Sequence, residues 1–255
     1  MTTDSSTRIA VVTGGSRGLG RNTVLALADR GVRSVFTYHS HREAADEVVA
    51  ATREAGAEGV ALQLDTSEAA SFPGFVDRLG STLEDLGTEH FDYLVNNAGT
   101  GYHASIEETT EDAFDALYRV HLKGVFFLTQ ALLPLMADGG RIVNLSSGLA
   151  RFSFPGSAAY AAMKGAVEVL TRYQAKELAA RGITANVVAP GAIETDFSGG
   201  AVRDNPELNQ QVASVTALGR AGVPDDIGPM IASLLSDANG WVTGQRIEAS
   251  GGMML

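Results

Sequence analysis

An open α/β fold, one parallel sheet of seven strands wound doubly with helices on both faces, is predicted by three features of the sequence. Short β-rich runs alternate with longer helical runs along the whole chain, the pattern of right-handed βαβ crossovers. Several of the short runs, such as Ile9-Ala10-Val11-Val12, are apolar at consecutive positions, as strands covered on both faces are. A glycine-rich turn follows the first of them. An eight-stranded barrel fits the alternation too, but seven strand candidates and the glycine turn favour the open sheet.

In chain order, residues 8–13, 33–37, 59–64, 92–96, 141–145, 184–188 and 245–248 read as strands. Residues 19–30, 42–55, 67–85, 111–136, 158–180 and 224–236 read as helices. The polar residues 1–7 are expected to be a flexible tail. No Pro/Gly/Ser-rich linker divides the chain, so residues 1–255 read as a single domain. Residues 192–206, which contain Gly199-Gly200, read as an irregular mobile loop on the substrate side.

Composition narrows the function. Hydrophobic residues are 45% of the chain, enough for a sizeable core. The net charge of −11 repels phosphate backbones, so nucleic acid is not an expected partner. There is no cysteine, which excludes disulfide and thiolate chemistry. The amino-terminal residues lack a basic segment followed by an apolar run, and the most apolar stretch, residues 125–136, is too short to span a bilayer. A cytoplasmic protein with no membrane partner is expected.

Thr13-Gly14-Gly15-Ser16-Arg17-Gly18-Leu19-Gly20 joins the first strand to the first helix. Glycines at 14, 18 and 20 let the backbone turn sharply and approach a pyrophosphate, which then meets the positive end of the helix. That position favours a dinucleotide over an ordinary turn. An NAD site places a carboxylate about 20 residues further on, at the adenosine ribose. Here that region reads Tyr38-His39-Ser40-His41-Arg42, with no acid before Glu43. Arg17, Ser40 and Arg42, joined by His39 or His41, are candidate donors to a 2′-phosphate, so NADP(H) is expected ahead of NAD(H). For Arg42 and the two histidines, a solvated helix start is an equally good reading.

Tyr160 and Lys164 are four residues apart at the start of a predicted helix and share one face. A phenol titrates near pKa ~10, and general acid/base work at neutral pH would call for a value ~2–3 units lower, roughly 3–4 kcal/mol of differential stabilisation that Lys164 and a cationic nicotinamide are expected to supply. Ser147 follows the strand Ile142-Val143-Asn144-Leu145. Carboxyl ends of parallel strands are where such sheets bind ligands, and a hydroxyl there can donate to a carbonyl oxygen.

Over nearly its whole length the sequence resembles the short-chain dehydrogenase/reductase family, a Rossmann-type fold. The motifs that carry the resemblance are Thr13 to Gly20, Asp65, Asn96-Asn97-Ala98-Gly99, Asn144-Leu145-Ser146-Ser147, Tyr160 to Lys164, Pro190 to Thr195 and Gly251-Gly252. The resemblance implies that Tyr160 is the proton donor and acceptor, that Ser147 polarises the carbonyl, and that Lys164 also binds the nicotinamide ribose. It places Gly14, Ser16, Arg17, Gly18, Leu19, Gly20, Asp65, Thr66, Asn97, Ala98, Gly99, Pro190 and Gly191 on the cofactor. It puts Asn96 by the adenine-side ribose, and Ile193 and Thr195 near the carboxamide. It also implies a homo-oligomer, a tetramer ahead of a dimer, paired through helices 111–136 and 158–180. The expected function is NADP(H)-dependent interconversion of a carbonyl and its secondary alcohol on a small-molecule substrate. A non-catalytic NADP(H) sensor and an NADP-using epimerase or dehydratase are the alternatives.

The chain departs from the family in two places. His121, within Val120-His121-Leu122-Lys123-Gly124, stands where the family carries the Asn that holds a relay water. A neutral imidazole can hold the same water, and its ordinary pKa near 6.5 leads to an expected acid-side inflection in activity; a packed core histidine is the competing reading. Ser250, in Glu248-Ala249-Ser250-Gly251-Gly252, stands where the family often carries Asp. Tyr102, Leu149, Phe152, Phe154 and Phe197 are candidate lining of an apolar substrate pocket, and Arg151 reads as a surface residue.

Overall fold

The computed structural model describes residues 8–255; the tail expected at residues 1–7 lies outside the described residues. Seven parallel strands form one sheet in the order β3-β2-β1-β4-β5-β6-β7. They are β1 (Ile9–Val12), β2 (Arg33–Tyr38), β3 (Gly59–Gln63), β4 (Phe91–Asn96), β5 (Met136–Leu145), β6 (Thr184–Pro190) and β7 (Arg246–Ala249). The order reverses between β1 and β4, so a crevice opens at the carboxyl ends of the strands, where doubly wound sheets bind ligands.

Nearly every side chain of the central strands is buried, which accounts for their unalternating apolar runs. Val12, Phe36, Val95 and Val143 pack on one face, with Val24 and Leu27 of α1 (Gly18–Ala28) and Ile231 of α9 (Gly228–Leu234). Val11, Val35, Leu94 and Ile142 pack on the other, with Leu79 of α3 (Phe72–Asp85) and Leu128 of α5 (Gly124–Leu132). The helix α2 (Arg42–Glu54) buries Ala45 and Val48 beside α1, and α6 (Ala158–Glu177) buries Met163 and Val167.

The helix expected over residues 111–136 is divided. It comprises α4 (Glu111–Tyr118), a π-helical turn at Arg119–Lys123, α5, and a 3-10 turn at Leu133–Leu135. The break falls just before Gly124, where a Cβ would sit 2.2 Å from the Thr66 carbonyl oxygen and 2.9 Å from that of Arg119. The close approach to the crevice wall requires glycine, and the helix widens by one residue before it. Pro134 then ends the segment, and Met136 already belongs to β5.

Smaller differences have similar local causes. Residues 67–71 form a bend and a 3-10 turn before α3, which has Pro at its start. α6 ends at Glu177, closed by a 3-10 turn and Gly182 in the left-handed region. The helix expected over 224–236 is a 3-10 turn at Pro224–Asp226 followed by the shorter α9. Residues 192–206 hold more helical structure than the sequence reading assigned. Ser198, Gly199 and Gly200 all take left-handed φ, folding a 3-10 turn at Phe197–Gly200, and α7 (Ala201–Asp204) follows. The helix α8 (Pro206–Ser214), absent from the sequence reading, is capped by the Asn205 side chain on the amides of Glu207 and Leu208.

Candidate active site

The crevice is one continuous cleft of about 1000 Å³ that runs from the glycine turn, across the switch point, to α8. At its cofactor end Gly14 and Gly18 take φ of +67° and +54°, conformations that favour glycine. Gly20 has a different reason: a Cβ would sit 2.1 Å from the Gly14 carbonyl oxygen. The turn is pinned to its neighbours. The Gly14 amide donates to Thr37 Oγ1 (3.0 Å), and Asn97 Nδ2 donates to the carbonyls of Thr13 (2.9 Å) and Gly14 (3.1 Å). α1 begins at Gly18 with no side-chain cap, so its first-turn amides remain open to an anion.

Most of the expected cofactor residues line this cleft: Gly14, Ser16, Arg17, Gly18 and Leu19; Tyr38, His39 and Ser40; Asp65 and Thr66; Asn97, Ala98 and Gly99; Pro190, Gly191, Ile193 and Thr195. Asp65 is stapled by Ser67, whose amide (2.8 Å) and hydroxyl (2.7 Å) both donate to it, and His39 lies 3.3 Å away. Burial works to raise the Asp65 carboxyl, but the Ser67 bonds and His39 outweigh it and leave the carboxyl below its ordinary value. Arg42 stands off the cleft wall, exposed, 3.5 Å from Asp46 and in reach of the Tyr38 hydroxyl.

Asn96 corrects an expectation. It does not face the cleft but is buried, its Nδ2 donating to Thr129 Oγ1 (3.1 Å) and Asn144 Oδ1 (2.8 Å). Asn144 Nδ2 passes the chain on to Thr171 Oγ1 (2.8 Å) and Gln174 Oε1 (2.7 Å). Asn96 is the last residue of β4 and its side chain joins the buried network, while Asn97, just past the strand, pins the glycine turn and lines the cleft.

The catalytic candidates converge at the middle of the cleft. β5 delivers Ser147 just past its carboxyl end, in extended backbone. α6 delivers Tyr160 and Lys164 on one face, with the Tyr160 hydroxyl in reach of the Ser147 side chain. Lys164 is buried, donates to the Leu145 carbonyl (2.8 Å), and has its Nζ 5.6 Å from the Tyr160 ring centroid. Burial pushes the Lys164 ammonium down to about 8.

The expectation of a depressed Tyr160 pKa is overturned for the chain alone. Burial pushes the phenol well above its ordinary value, and the Ser147 bond only partly opposes this. Lys164 lies toward the ring face rather than the hydroxyl and contributes no compensating shift.

His121 sits in the π turn, buried, edge-on to Tyr160 with ring centroids 5.2 Å apart. Its Nε2 lies 2.8 Å from the Thr100 carbonyl oxygen and 3.3 Å from the Thr100 amide nitrogen; the shorter contact favours the tautomer with Nε2–H donating to that carbonyl and Nδ1 left as an unprotonated acceptor. Nδ1 is buried with no hydrogen-bond partner in the chain. Burial first, then the charge of Lys164, push the imidazole down to about 3 against the Thr100 bond. It is therefore neutral across the ordinary pH range, and the acid-side inflection expected near 6.5 does not belong to it.

Beyond Tyr160 the cleft wall is largely apolar, with His103, Asp196, Ser198 and Gln211 among its lining. Tyr102, Leu149, Phe152, Phe154, Phe197 and Met253 line it, together with Leu208, Val212 and Val215 on or just after α8. The Phe197 ring lies over Tyr160 at 6.0 Å. Arg151 is not free to meet an acidic ligand: it forms a two-point bond with Glu248 (2.6 and 2.7 Å) and donates to the Met253 carbonyl (2.7 Å). The α8 contribution escaped the sequence reading because Asn205-Pro206, a capping signal, lies in the stretch read as loop.

Comparison with known proteins agrees with this fold. A family model described as enoyl-(acyl carrier protein) reductase matches residues 14–254. The chain belongs to the short-chain dehydrogenase/reductase family. It is 39% identical to an uncharacterised oxidoreductase of Methylorubrum extorquens, over 96% of this chain and 97% of the relative. Among solved structures it resembles the reductase LugOII, which catalyses keto-reduction at C1 during lugdunomycin biosynthesis (40% identity, TM-score 0.92, 97% of this chain and 98% of that one). It also resembles the angucycline C-6 ketoreductase LanV with bound NADP (33% identity, TM-score 0.92, 97% and 95%). Among the described residues, no helix is long and apolar enough to cross a membrane.

Proposed function

We propose that this short-chain oxidoreductase reduces a neutral, apolar ketone to its secondary alcohol with NADPH. The observation that carries the reading is the placement of Ser147, Tyr160 and Lys164 along a single cleft that continues to the glycine turn. Gly14, Gly18 and the open start of α1 suit a pyrophosphate, and Arg17, Tyr38, His39 and Ser40 suit a phosphorylated adenosine ribose. A bound NADPH would supply the hydride. The neighbouring hydroxyls of Ser147 and Tyr160 would grip the substrate carbonyl oxygen, and the protonated phenol would deliver the proton to it. Lys164 fixes Tyr160 from the ring face and is poised to bind the nicotinamide ribose.

The absence of a carboxylate between Tyr38 and Arg42, with exposed Arg17 on the cleft wall, supports NADPH over NADH. The aromatic far wall, with Arg151 tied to Glu248, supports an uncharged substrate, in keeping with the ketoreductions named for LugOII and LanV. The test is a panel of aromatic and aliphatic ketones with each cofactor, followed at the nicotinamide absorbance. The reading requires kcat/KM with NADPH at least about tenfold above NADH, about 1.4 kcal/mol; the reverse preference overturns it.

The working form in this reading is a cytoplasmic homotetramer. Phe114 and Tyr118 of α4, Phe126 and Phe127 of α5, and Val169 and Tyr173 of α6 are exposed, an apolar set suited to burial between copies. Light scattering checks it: a monomer at micromolar concentration refutes the assembly.

A further inference from the structure

We propose that Arg246 and Glu248 are positioning residues for the reaction, the middle of a charged strut that fixes Ser147 relative to the carboxyl-terminal wall of the substrate cleft. The idea rests on the carbonyl-reducing reading of the site.

The strut begins behind the catalytic serine. Arg246 Nη2 donates to the Ser147 carbonyl (3.3 Å) and its Nε to Glu168 Oε1 (2.7 Å). Glu168 lies one helical turn beyond Lys164 on α6, and the same Oε1 accepts from Ser146 Oγ (2.7 Å). The Ser146 side chain, the Ser147 carbonyl and the helix that carries Tyr160 and Lys164 therefore meet on one guanidinium–carboxylate pair.

Glu248 joins that pair to the far wall. Its Oε2 accepts from Arg246 Nη1 (2.8 Å) and Arg151 Nε (2.6 Å), and its Oε1 from Arg151 Nη2 (2.7 Å) and Ser250 Oγ (2.9 Å). Arg151 Nη2 also holds the Met253 carbonyl (2.7 Å). Met253 lines the cleft and bridges to Thr216, and the Met254 amide donates to the Val215 carbonyl (2.8 Å), so the wall after α8 hangs on this segment. Two arginines face two partly buried carboxylates, and the arrangement holds the Glu248 carboxyl down to about 2, chiefly through Arg151. Polar networks satisfied in this way act as rigid units.

Ser250 now has a reading. It donates to Glu248, and its own oxygen is 3.3 Å from the Met253 amide. An Asp at 250 would set a second carboxylate against Glu248, so the strut requires an uncharged donor there.

The experiment takes the full chain through Glu248→Gln and Ser250→Asp, with two readouts. In kinetics, KM for an accepted ketone should rise about tenfold and kcat fall severalfold, the scale expected of sub-ångström misplacement, while NADPH affinity stays within about twofold because the strut touches none of the glycine turn. In hydrogen exchange, the amides of Ala150 and Arg151, which close on Ser147 and Gly148, should exchange faster together with Met254. A fall in melting temperature with unchanged KM and kcat, or faster exchange confined to residues 248–255, overturns the proposal. If the parent reduces no ketone, the carbonyl-reducing reading fails and the exchange pattern alone decides the strut. Should Ser250→Asp not fold, Ser250→Ala removes the donor without adding charge and is read in the same way.

Discussion

The imidazole of His121 gives a prediction whose sign and size follow from its burial. In the unfolded chain it takes up a proton near the ordinary value of about 6.5. In the folded chain, with Nε2–H committed to Thr100 and Lys164 nearby, it resists protonation down to about 3. Between these values the unfolded state binds more protons, so stability is complete above the unfolded value and is lost as pH falls through this window. At about pH 5 the unfolded imidazole is about 1.5 units below its pKa, and each unit is worth about 1.4 kcal/mol, so His121 alone should cost about 2 kcal/mol between about pH 7 and pH 5. His39, His41, His90 and His103 are exposed and common to parent and variant, so they cancel in the comparison. The assay is urea unfolding of parent and His121→Asn at both pH values and one protein concentration. The parent should lose about 2 kcal/mol more than the variant on acidification. Equal losses, to within about 0.5 kcal/mol, would refute the assignment of a neutral buried imidazole. The same argument requires that no inflection in the kcat profile of the parent near neutrality disappears in His121→Asn.

Other expectations are simpler. Tyr160→Phe should lower kcat by about 10²–10⁴-fold, the usual worth of general acid catalysis, with NADPH binding by fluorescence titration nearly intact. Arg17→Ala should weaken NADPH by about 1–3 kcal/mol, the scale of a charged hydrogen bond, and NADH much less, as read by calorimetric titration. Gly20→Ala should abolish cofactor binding, because its Cβ would sit 2.1 Å from the Gly14 carbonyl oxygen; retention of parental NADPH affinity would contradict this. Asn144→Leu should cost about 2–4 kcal/mol in urea unfolding, since Asn96, Thr171 and Gln174 would each lose a buried partner.

The parts of this molecule legible from sequence are those whose physics is local. Gly14, Gly18 and Gly20 announce a cofactor turn because backbone conformation and close approach leave no other residue, and Tyr160 and Lys164 announce a shared face by their spacing. Fully apolar strands announce a covered parallel sheet. What stayed hidden depends on partners distant in the chain. Gly124, next to the π turn, lies against Thr66, and nothing near residue 124 in sequence says so. Asn96 and Asn97 look equivalent until the fold sends one into the buried network and the other onto the glycine turn. The low pKa of His121 and the high one of Tyr160 come from burial. Arg246 reaches Ser147 across 99 positions, so the strut has no sequence signature beyond the unexplained Ser250.

The central claim is hydride transfer to a ketone, with the proton supplied by Tyr160. The most direct measurement of it is isotope transfer: NADPH deuterated at the transferring position is incubated with the ketone the protein accepts best, and the alcohol is analysed by mass spectrometry. The account predicts one deuterium at the carbinol carbon with the parent and essentially none with Tyr160→Phe, although both bind NADPH. Unlabelled alcohol from the parent, an isomerised or dehydrated product without net reduction, or full labelling by Tyr160→Phe would contradict it.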